Sequence, residues 1–196
     1  YKPDYRLAPA RTRVLMDKRE LLFWKSKYNN EEDLDSAGVE EELRSRFQSE
    51  RCVTESDLAR IVIWKFQGRL LGRQKRFLRL LEDVDESTIE EISKLALKIQ
   101  DDEVRLNLLS CTKEVGNALS SVILTFYDPQ NYGVLDIHAW RGLFGEEPLD
   151  LFANNRHALS FFSKLREISR ETGLPCRDIE KAYFKRDSDE ARMRRE

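Results

Sequence analysis

One acidic residue, Asp136, stands in a sequence setting where a carboxylate could do chemistry. It follows the apolar pair Val134 and Leu135 and precedes Ile137, so we expect its side chain to lie near apolar surroundings at the start of a helix. A carboxylate placed in this way can stabilise positive charge on a substrate or orient a water molecule. A structural interpretation is an N-cap, because an aspartate at a helix start accepts backbone N–H groups. His138 could carry a proton, although we favour a structural hydrogen-bonding role.

A tight turn around Val115 and Gly116 is predicted upstream, between two apolar helical segments. Glycine permits a sharp turn or a close approach of ligand to backbone, because it has no Cβ. The first N–H groups of the following helix have no intrahelical acceptor, so they offer a site to an anion. A phosphate is the obvious candidate.

The stretch from 108 to 141 resembles the helix-hairpin-helix motif and the downstream acid of the base-excision DNA glycosylase superfamily, which includes endonuclease III. That family's pattern is a Leu-Pro-Gly-Val-Gly hairpin, a helix, and a Val-Asp-x-His segment that carries the essential aspartate. Here Val115-Gly116 matches the end of the hairpin, Ser121-Val122-Ile123-Leu124 the helix, and Leu135-Asp136-Ile137-His138 the acid segment. The resemblance implies an all-α fold of two helical subdomains with a cleft, and duplex DNA as the partner. It also implies that Asp136 is catalytic and that residues of the hairpin contact DNA, namely Lys113, Val115, Gly116, Asn117 and Ala118.

Two departures from the family pattern change what the resemblance implies. Thr112-Lys113-Glu114 stands where the family has Leu-Pro-Gly, and the acid of Glu114 should weaken phosphate binding by repulsion unless it points away. Ala118 occupies the position of the lysine that forms a Schiff base in the bifunctional enzymes. Without that amine the chain resembles the monofunctional type, which removes a base and leaves the backbone intact.

A basic stretch without any acid runs from residue 65 to residue 79. Its cations are Lys65, Arg69, Arg73, Lys75, Arg76 and Arg79. Such runs are usually solvated helix faces, but a cationic face next to a hairpin can also bind phosphates. From this stretch we predict Lys75, Arg76 and Arg79 as DNA contacts.

Composition and charge limit the remaining possibilities. The chain has a net charge of −2, so nucleic-acid binding would have to come from a local patch, and acidic surfaces could bind a protein partner. No apolar run approaches the length that spans a membrane, and no signal peptide opens the sequence. We therefore expect an intracellular protein, in the cytoplasm, nucleoid or nucleus, that is neither secreted nor membrane-bound.

The three cysteines, Cys52, Cys111 and Cys176, are far apart and form no Cys-x-x-Cys pair, which disfavours disulfides and zinc. Some members of the resembled family hold an iron–sulfur cluster with four closely spaced C-terminal cysteines. Only Cys176 lies in that region, so we predict no cluster, no metal site among the side chains and no cofactor, apart from a monovalent cation at the hairpin as an open alternative.

Apolar spacing predicts eight or nine helices in one helical domain over residues 1–196. Capping boxes are predicted at Thr54–Asp57 and Ser87–Glu90. The acidic segment 31–50 is expected to be a solvated helix or two short ones, broken near Gly38. Further expectations are an extended arm at 1–14, a helix-hairpin-helix at 102–125, and a frayed, charged tail at 185–196.

Three functions remain open on the sequence. The first is a monofunctional DNA glycosylase that uses Asp136 to remove a damaged or modified base. The second is a helix-hairpin-helix protein that binds DNA without chemistry, which Glu114 and the missing lysine favour. The third is a helical module that binds a protein partner through its acidic surfaces, which the net charge favours.

Overall fold

The protein is all-helical over the residues that the computed structural model describes, which are 15–66, 71–81, 85–112 and 115–194. Within these ranges there are ten helices and no strand, and the predicted all-α fold is confirmed. The predicted arm at 1–14 lies outside them. The helices are α1 (Lys18–Glu31), α2 (Leu34–Glu50), α3 (Glu55–Phe66), α4 (Leu71–Leu81), α5 (Glu86–Lys98), α6 (Asp102–Leu109), α7 (Asn117–Tyr127), α8 (Ile137–Phe144), α9 (Asn155–Thr172) and α10 (Cys176–Met193).

Aspartate side chains cap four of these helices, because a carboxylate at the N-cap satisfies N–H groups that have no intrahelical acceptor. They are Asp17, Asp85, Asp101 and Asp136. The predicted box at 54–57 is confirmed, since Thr54 and Asp57 accept each other's backbone N–H groups. The predicted box at 87–90 is wrong, because the carboxylate of Asp85 already accepts the N–H of Thr88 and starts α5 earlier.

The helix contacts fall into two groups along the chain. The N-terminal α1 packs on the C-terminal α10, which also contacts α8 and α9, while α2 to α7 pack among themselves. Contacts of α9 with α6 and α7 join the groups around one continuous hydrophobic core. A cleft between two subdomains stays a prediction.

The range 102–125 contains α6, a connection at 110–116 and most of α7. Residues 113 and 114 of the connection are not among those described. Within the connection the N–H of Val115 donates to the carbonyl of Thr112 at 3.0 Å. The range therefore has a helix, a short connection and a helix. Its assignment to the family's helix-hairpin-helix motif stays a prediction.

The predicted frayed tail at 185–196 is wrong over the described residues. Helix α10 continues to Met193, and Lys185, Asp187 and Asp189 are buried on it. Lys185 donates to Asp189 at 2.7 Å, and Lys27 of α1 donates to the same carboxylate at 2.5 Å. The mixed charges are ordered because they pair with one another and with α1.

For the segment 31–50, the single-helix alternative is confirmed from Leu34 onward, and the break near Gly38 is wrong, since α2 passes through this residue without interruption. The segment is not simply solvated either. Leu43 and Phe47 are fully buried, and Glu40, whose side chain is 12% exposed, lies on the same side of the helix. The excess of acidic residues led the sequence analysis to overlook this apolar stripe and the buried position of Glu40 beside it.

Gly142 allows α8 and α10 to approach closely, and we expect Gly142→Ala to destabilise the protein by about 1–3 kcal/mol. A Cβ at this position would lie 2.8 Å from the carbonyl oxygen of Tyr183, a backbone atom that cannot move without shifting α10. Gly38→Ala is the control, because nothing lies within 4 Å of a Cβ there. Removing a glycine from a helix interior should stabilise by about 0.5–1 kcal/mol. Urea denaturation measures the free energy of unfolding of both variants, and we expect changes of opposite sign. Equal changes in the two variants would contradict the proposed close contact at Gly142.

No described helix is both long enough and apolar enough to cross a membrane. The longest helices, α9 and α10, have 18 residues each and carry charges along their length.

Candidate active site

Asp136 lies at the N-cap of α8 with its two carboxylate oxygens in different surroundings. Oδ1 accepts the backbone N–H of His138 at 2.9 Å, so the capping role is observed. Oδ2 is 3.6 Å from the Nζ of Lys65. The side chain is 27% exposed, while the preceding Val134 and Leu135 are buried. The carboxylate is thus fixed at one oxygen and reachable from solvent.

Lys65 comes from the last turn of α3 and is directed inward. Its ammonium donates to the carbonyl of Leu135 at 3.0 Å, and its side chain is only 11% exposed. Burial lowers the pKa of Lys65, although Asp136 and Glu180 oppose the shift. The cations of the stretch 65–79 therefore do not all lie on one exposed surface. Lys65 is a candidate site residue that the sequence analysis did not select, because it treated the stretch as one run of surface charges. A signal was present, because Lys65 follows Leu58 and Ile61 at helical spacing on the buried face of α3.

The segment before Asp136 is held from two helices. From α7, the hydroxyl of Ser121 accepts the N–H of Leu135 at 2.9 Å and donates to the carbonyl of Ala118 at 2.7 Å. From α10, Glu180 accepts the N–H of Val134 at 3.2 Å. Gly133 lets α10 come this close, because a Cβ there would lie 2.8 Å from the Cβ of Glu180. These contacts hold the backbone that leads to Asp136 against α7 and α10.

Behind this segment, a buried ionic cluster joins α10 to α2. Arg177 donates to both oxygens of Glu40, at 3.0 and 2.7 Å, and also to Glu180. Burial alone would raise the pKa of Glu40, but the charge and hydrogen bonds of Arg177 lower it to about 2. Burial raises the pKa of Glu180, against the opposing effect of Arg177. Since Glu180 also holds Val134, the cluster and the acid segment share one side chain.

The start of α7 has the features expected of an anion site. Val115 is buried, Gly116 is the exposed N-cap without a side chain, and Ala118 is partly exposed. Helix geometry leaves the N–H groups of Asn117 and Ala118 without intrahelical acceptors. The Asn117 side chain is 3% exposed, and its Oδ1 has no hydrogen-bond partner among the described residues. Lys113 and Glu114 are outside the described residues.

Lys75, Arg76 and Arg79 are exposed along α4, as predicted for a solvated face. Phe77 is buried on the opposite side, and α4 packs on α3, the helix that carries Lys65. The three cations therefore occupy one continuous helical surface. Their contact with DNA stays a prediction.

The His138 ring is directed towards α10 rather than towards the free side of Asp136. Its Nδ1 is 2.9 Å from Asp187 Oδ2 and 3.0 Å from a guanidinium nitrogen of Arg141. Its ring also meets the edge of Phe184, with centroids 5.4 Å apart. Burial alone would raise the pKa of Asp187, but hydrogen bonds from His138 and Arg141 lower it. The ring is thus held between α8 and α10, and its capacity to carry protons stays a prediction.

Two surface pockets lie away from Asp136. One, of about 480 Å³, is formed by α2 and α3 and includes Trp64 and Arg60; the other, of about 410 Å³, lies beside α9 and includes Phe144 and Lys164. The Trp64 indole N–H donates to the Ser36 carbonyl at 3.1 Å, so this ring is fixed in the wall of the first pocket.

The structure thus brings together Asp136, Lys65 and Ser121 from three helices. It places the α4 cations and Gly116 on the surface, while Val115 and Asn117 are buried. The three cysteines are free, with Cys52 and Cys176 buried and Cys111 exposed. No protein-family model matches the chain, and comparisons with curated proteins and with solved structures find no match either.

Proposed function

We propose that this protein is a DNA N-glycosylase that removes a damaged or modified base from duplex DNA by attack of water. The observation that carries the proposal is the setting of Asp136, whose carboxylate is capped at one oxygen, faces an amine at the other and remains accessible. Its sequence segment is also the one that resembles the acid segment of the glycosylase superfamily. Because Ala118 stands at the family's lysine position, base release itself uses no amine from that site.

Breaking an N-glycosyl bond builds positive charge on the deoxyribose, in a transition state comparable to that of glycoside hydrolysis. A fixed carboxylate beside the sugar stabilises this charge without reorganising at the moment of reaction. The N–H of His138 orients the Asp136 carboxylate, and the contacts of Ser121 and Glu180 hold its backbone. The target base must first leave the helical stack, because a side chain cannot reach the bond inside a duplex.

Two surfaces support DNA as the substrate. The start of α7 has Gly116 at its N-cap and the N–H groups of Asn117 and Ala118, which have no intrahelical acceptor and suit one backbone phosphate. The α4 cations would neutralise further phosphates locally, although the net charge of the chain is −2. Lys113 belongs to the same proposed contact. A DNA substrate would also place the protein inside the cell. The proposed chemistry needs no cofactor. A monovalent cation at the hairpin stays a prediction.

A single-turnover assay with excess protein on labelled duplexes that carry damaged or modified bases tests the proposal. Half of each product is heated in alkali to break abasic sites, and released base is measured directly. Release of one class of base, with none from an undamaged duplex, would support a glycosylase and identify its substrate. No release across the panel with DNA still bound would contradict catalysis and favour a non-catalytic helix-hairpin-helix binder.

Replacing Lys75, Arg76 and Arg79 by glutamate is expected to weaken duplex binding and to make its salt dependence shallower by about 2–3 in the slope of log affinity against log salt. Reversing three exposed cations elsewhere, Lys98, Arg170 and Arg192, is the control with the same change in charge. Equal losses in both triples would show that only net charge matters. If the starting protein binds DNA weakly with no salt dependence, a protein-interaction module becomes the better interpretation.

A further inference from the structure

The pocket between α2 and α3 has an apolar wall that is open to solvent. Its volume of about 480 Å³ lies within the range of about 300–1,000 Å³ that ligand pockets occupy. Ile63 is 50% exposed and Val39 is partly exposed, while Trp64 is fixed in the wall by its bond to the Ser36 carbonyl. A ligand that covers this wall would remove apolar surface from water, which favours binding.

Two acids of α2, Asp33 and Asp35, line the same pocket and are exposed. Neither carboxylate has an ion pair or a side-chain hydrogen bond with the residues that the structure describes. Asp33 is the N-cap of α2, yet its side chain makes no capping bond, in contrast to the four aspartates that cap other helices. The partial positive charge at the start of α2 favours the ionised form of both acids.

The cation that lines the pocket, Arg60, does not neutralise these two acids. Its guanidinium makes two hydrogen bonds to the carboxylate of Glu42, at 2.9 and 2.5 Å. The charges of Arg60 and Glu42 therefore cancel, and the pocket keeps the two negative charges of Asp33 and Asp35 next to its apolar wall.

We propose that this pocket binds a basic segment of a partner protein, in which a lysine or arginine stands beside a bulky apolar side chain. The cation would lie between Asp33 and Asp35, and the apolar side chain would cover Ile63 and Val39. Charge complementarity of this kind sets the specificity and the register of an interface.

The two acids also select against other occupants. The phosphates of DNA and the head groups of anionic lipids would be repelled by the same two carboxylates. A purely apolar ligand would cover the wall but leave both charges unpaired. The inference goes beyond the proposed function and does not depend on it, because the pocket lies away from Asp136 and its occupant takes no part in base removal.

NMR of the full chain labelled with ¹⁵N tests the inference. The probe is the peptide acetyl-Gly-Arg-Leu-Arg-Leu-Gly-amide, and the readout is the indole N–H signal of Trp64. We expect this signal to shift saturably with peptide, and to shift less at high salt. The Trp140 indole donates to the Glu146 carbonyl away from the pocket, so its signal should stay in place. Trp24→Phe and Trp140→Phe assign the three indole signals.

Charge neutralisation tests the role of the acids. The double variant Asp33→Asn with Asp35→Asn should bind the peptide about tenfold more weakly, the effect of losing two exposed ion pairs. Asparagine is as good an N-cap as aspartate, so we expect α2 to start at the same residue. Glu86→Gln with Glu91→Gln changes the charge equally on exposed positions of α5 and should bind as the unchanged protein does.

A second pair of variants tests the apolar wall. Ile63→Ser should weaken peptide binding, whereas Leu95→Ser should not, although both side chains are 50% exposed. The spectra themselves report whether each variant is folded. A peptide with serine in place of both arginines gives the same test of charge on the unchanged protein, so the inference stays open to contradiction if the double variant unfolds.

Three results would overturn the inference. The first is no shift of the Trp64 signal with the arginine peptide. The second is equal affinity for the serine peptide, or equal affinity in the folded variant that lacks both acids. The third is a Trp64 signal that moves when the protein alone is diluted, which would identify a second copy of this chain as the occupant.

Discussion

Asp136→Asn is expected to lower the single-turnover rate of base release by about a hundredfold or more, because it removes the charge that opposes the developing cation on the sugar. The amide retains an oxygen that can accept the N–H of His138, and asparagine is as good an N-cap as aspartate. We therefore expect the helix start to survive and duplex affinity to change little. Stopped reactions at fixed times measure the rate, and gel shift measures the affinity.

A second N-cap provides the control for this substitution. Asp101 begins α6 and accepts the N–H of Val104 at 2.9 Å, as Asp136 begins α8. Asp101→Asn makes the same chemical change at the N-cap of α6, which lies outside the proposed site. It should leave base release unchanged. Equal rates for both variants and the unchanged protein would show that Asp136 is only a cap, and would contradict the proposed function.

Arg177→Met is expected to have the largest effect on folding, a loss of about 3–5 kcal/mol in the free energy of unfolding. The substitution keeps the volume of the side chain but leaves Glu40 and Glu180 without their shared cation in a buried position. The face of the guanidinium also lies over the rings of Trp64 and Tyr28, at 5.5 and 5.8 Å, and this contact is lost too. Urea denaturation at neutral pH measures the change.

Two further variants show where the energy comes from. Adding Glu40→Gln and Glu180→Gln to Arg177→Met should recover part of the loss, because the two buried carboxylates that lost Arg177 are then neutral. Arg60→Met breaks an exposed pair with Glu42 and should cost far less, since exposed ion pairs contribute little. If Arg177→Met and Arg60→Met cost the same, the cluster is not the stabilising element that its burial indicates.

Local patterns in the sequence predicted the helices well, because caps and apolar stripes act within a few residues of one another. Asp136 at a helix start and Thr54 paired with Asp57 are features of this kind. The direction of Lys65 was missed because a run of cations was interpreted as one surface, although its position on the stripe of α3 was already visible. Glu40 and Lys185 were missed for a different reason. Their partners, Arg177 and Glu31, are 137 and 154 residues away in sequence. Pairing over such distances is set by tertiary packing, and a single sequence does not contain it in any local pattern.

Contacts between residues that are far apart in sequence also affect the order in which the parts of the protein fold. Val134 and the side chain of Glu180 that holds it are 46 residues apart, and α1 packs on α10, the last helix described. During synthesis the segment that carries Asp136 is made before α10. Contacts of this range also close late in folding, since the entropy of the intervening loop must be lost first. Until α10 packs, Val134 therefore lacks the support of Glu180, and we expect the chemistry proposed for Asp136 to require α10 in place.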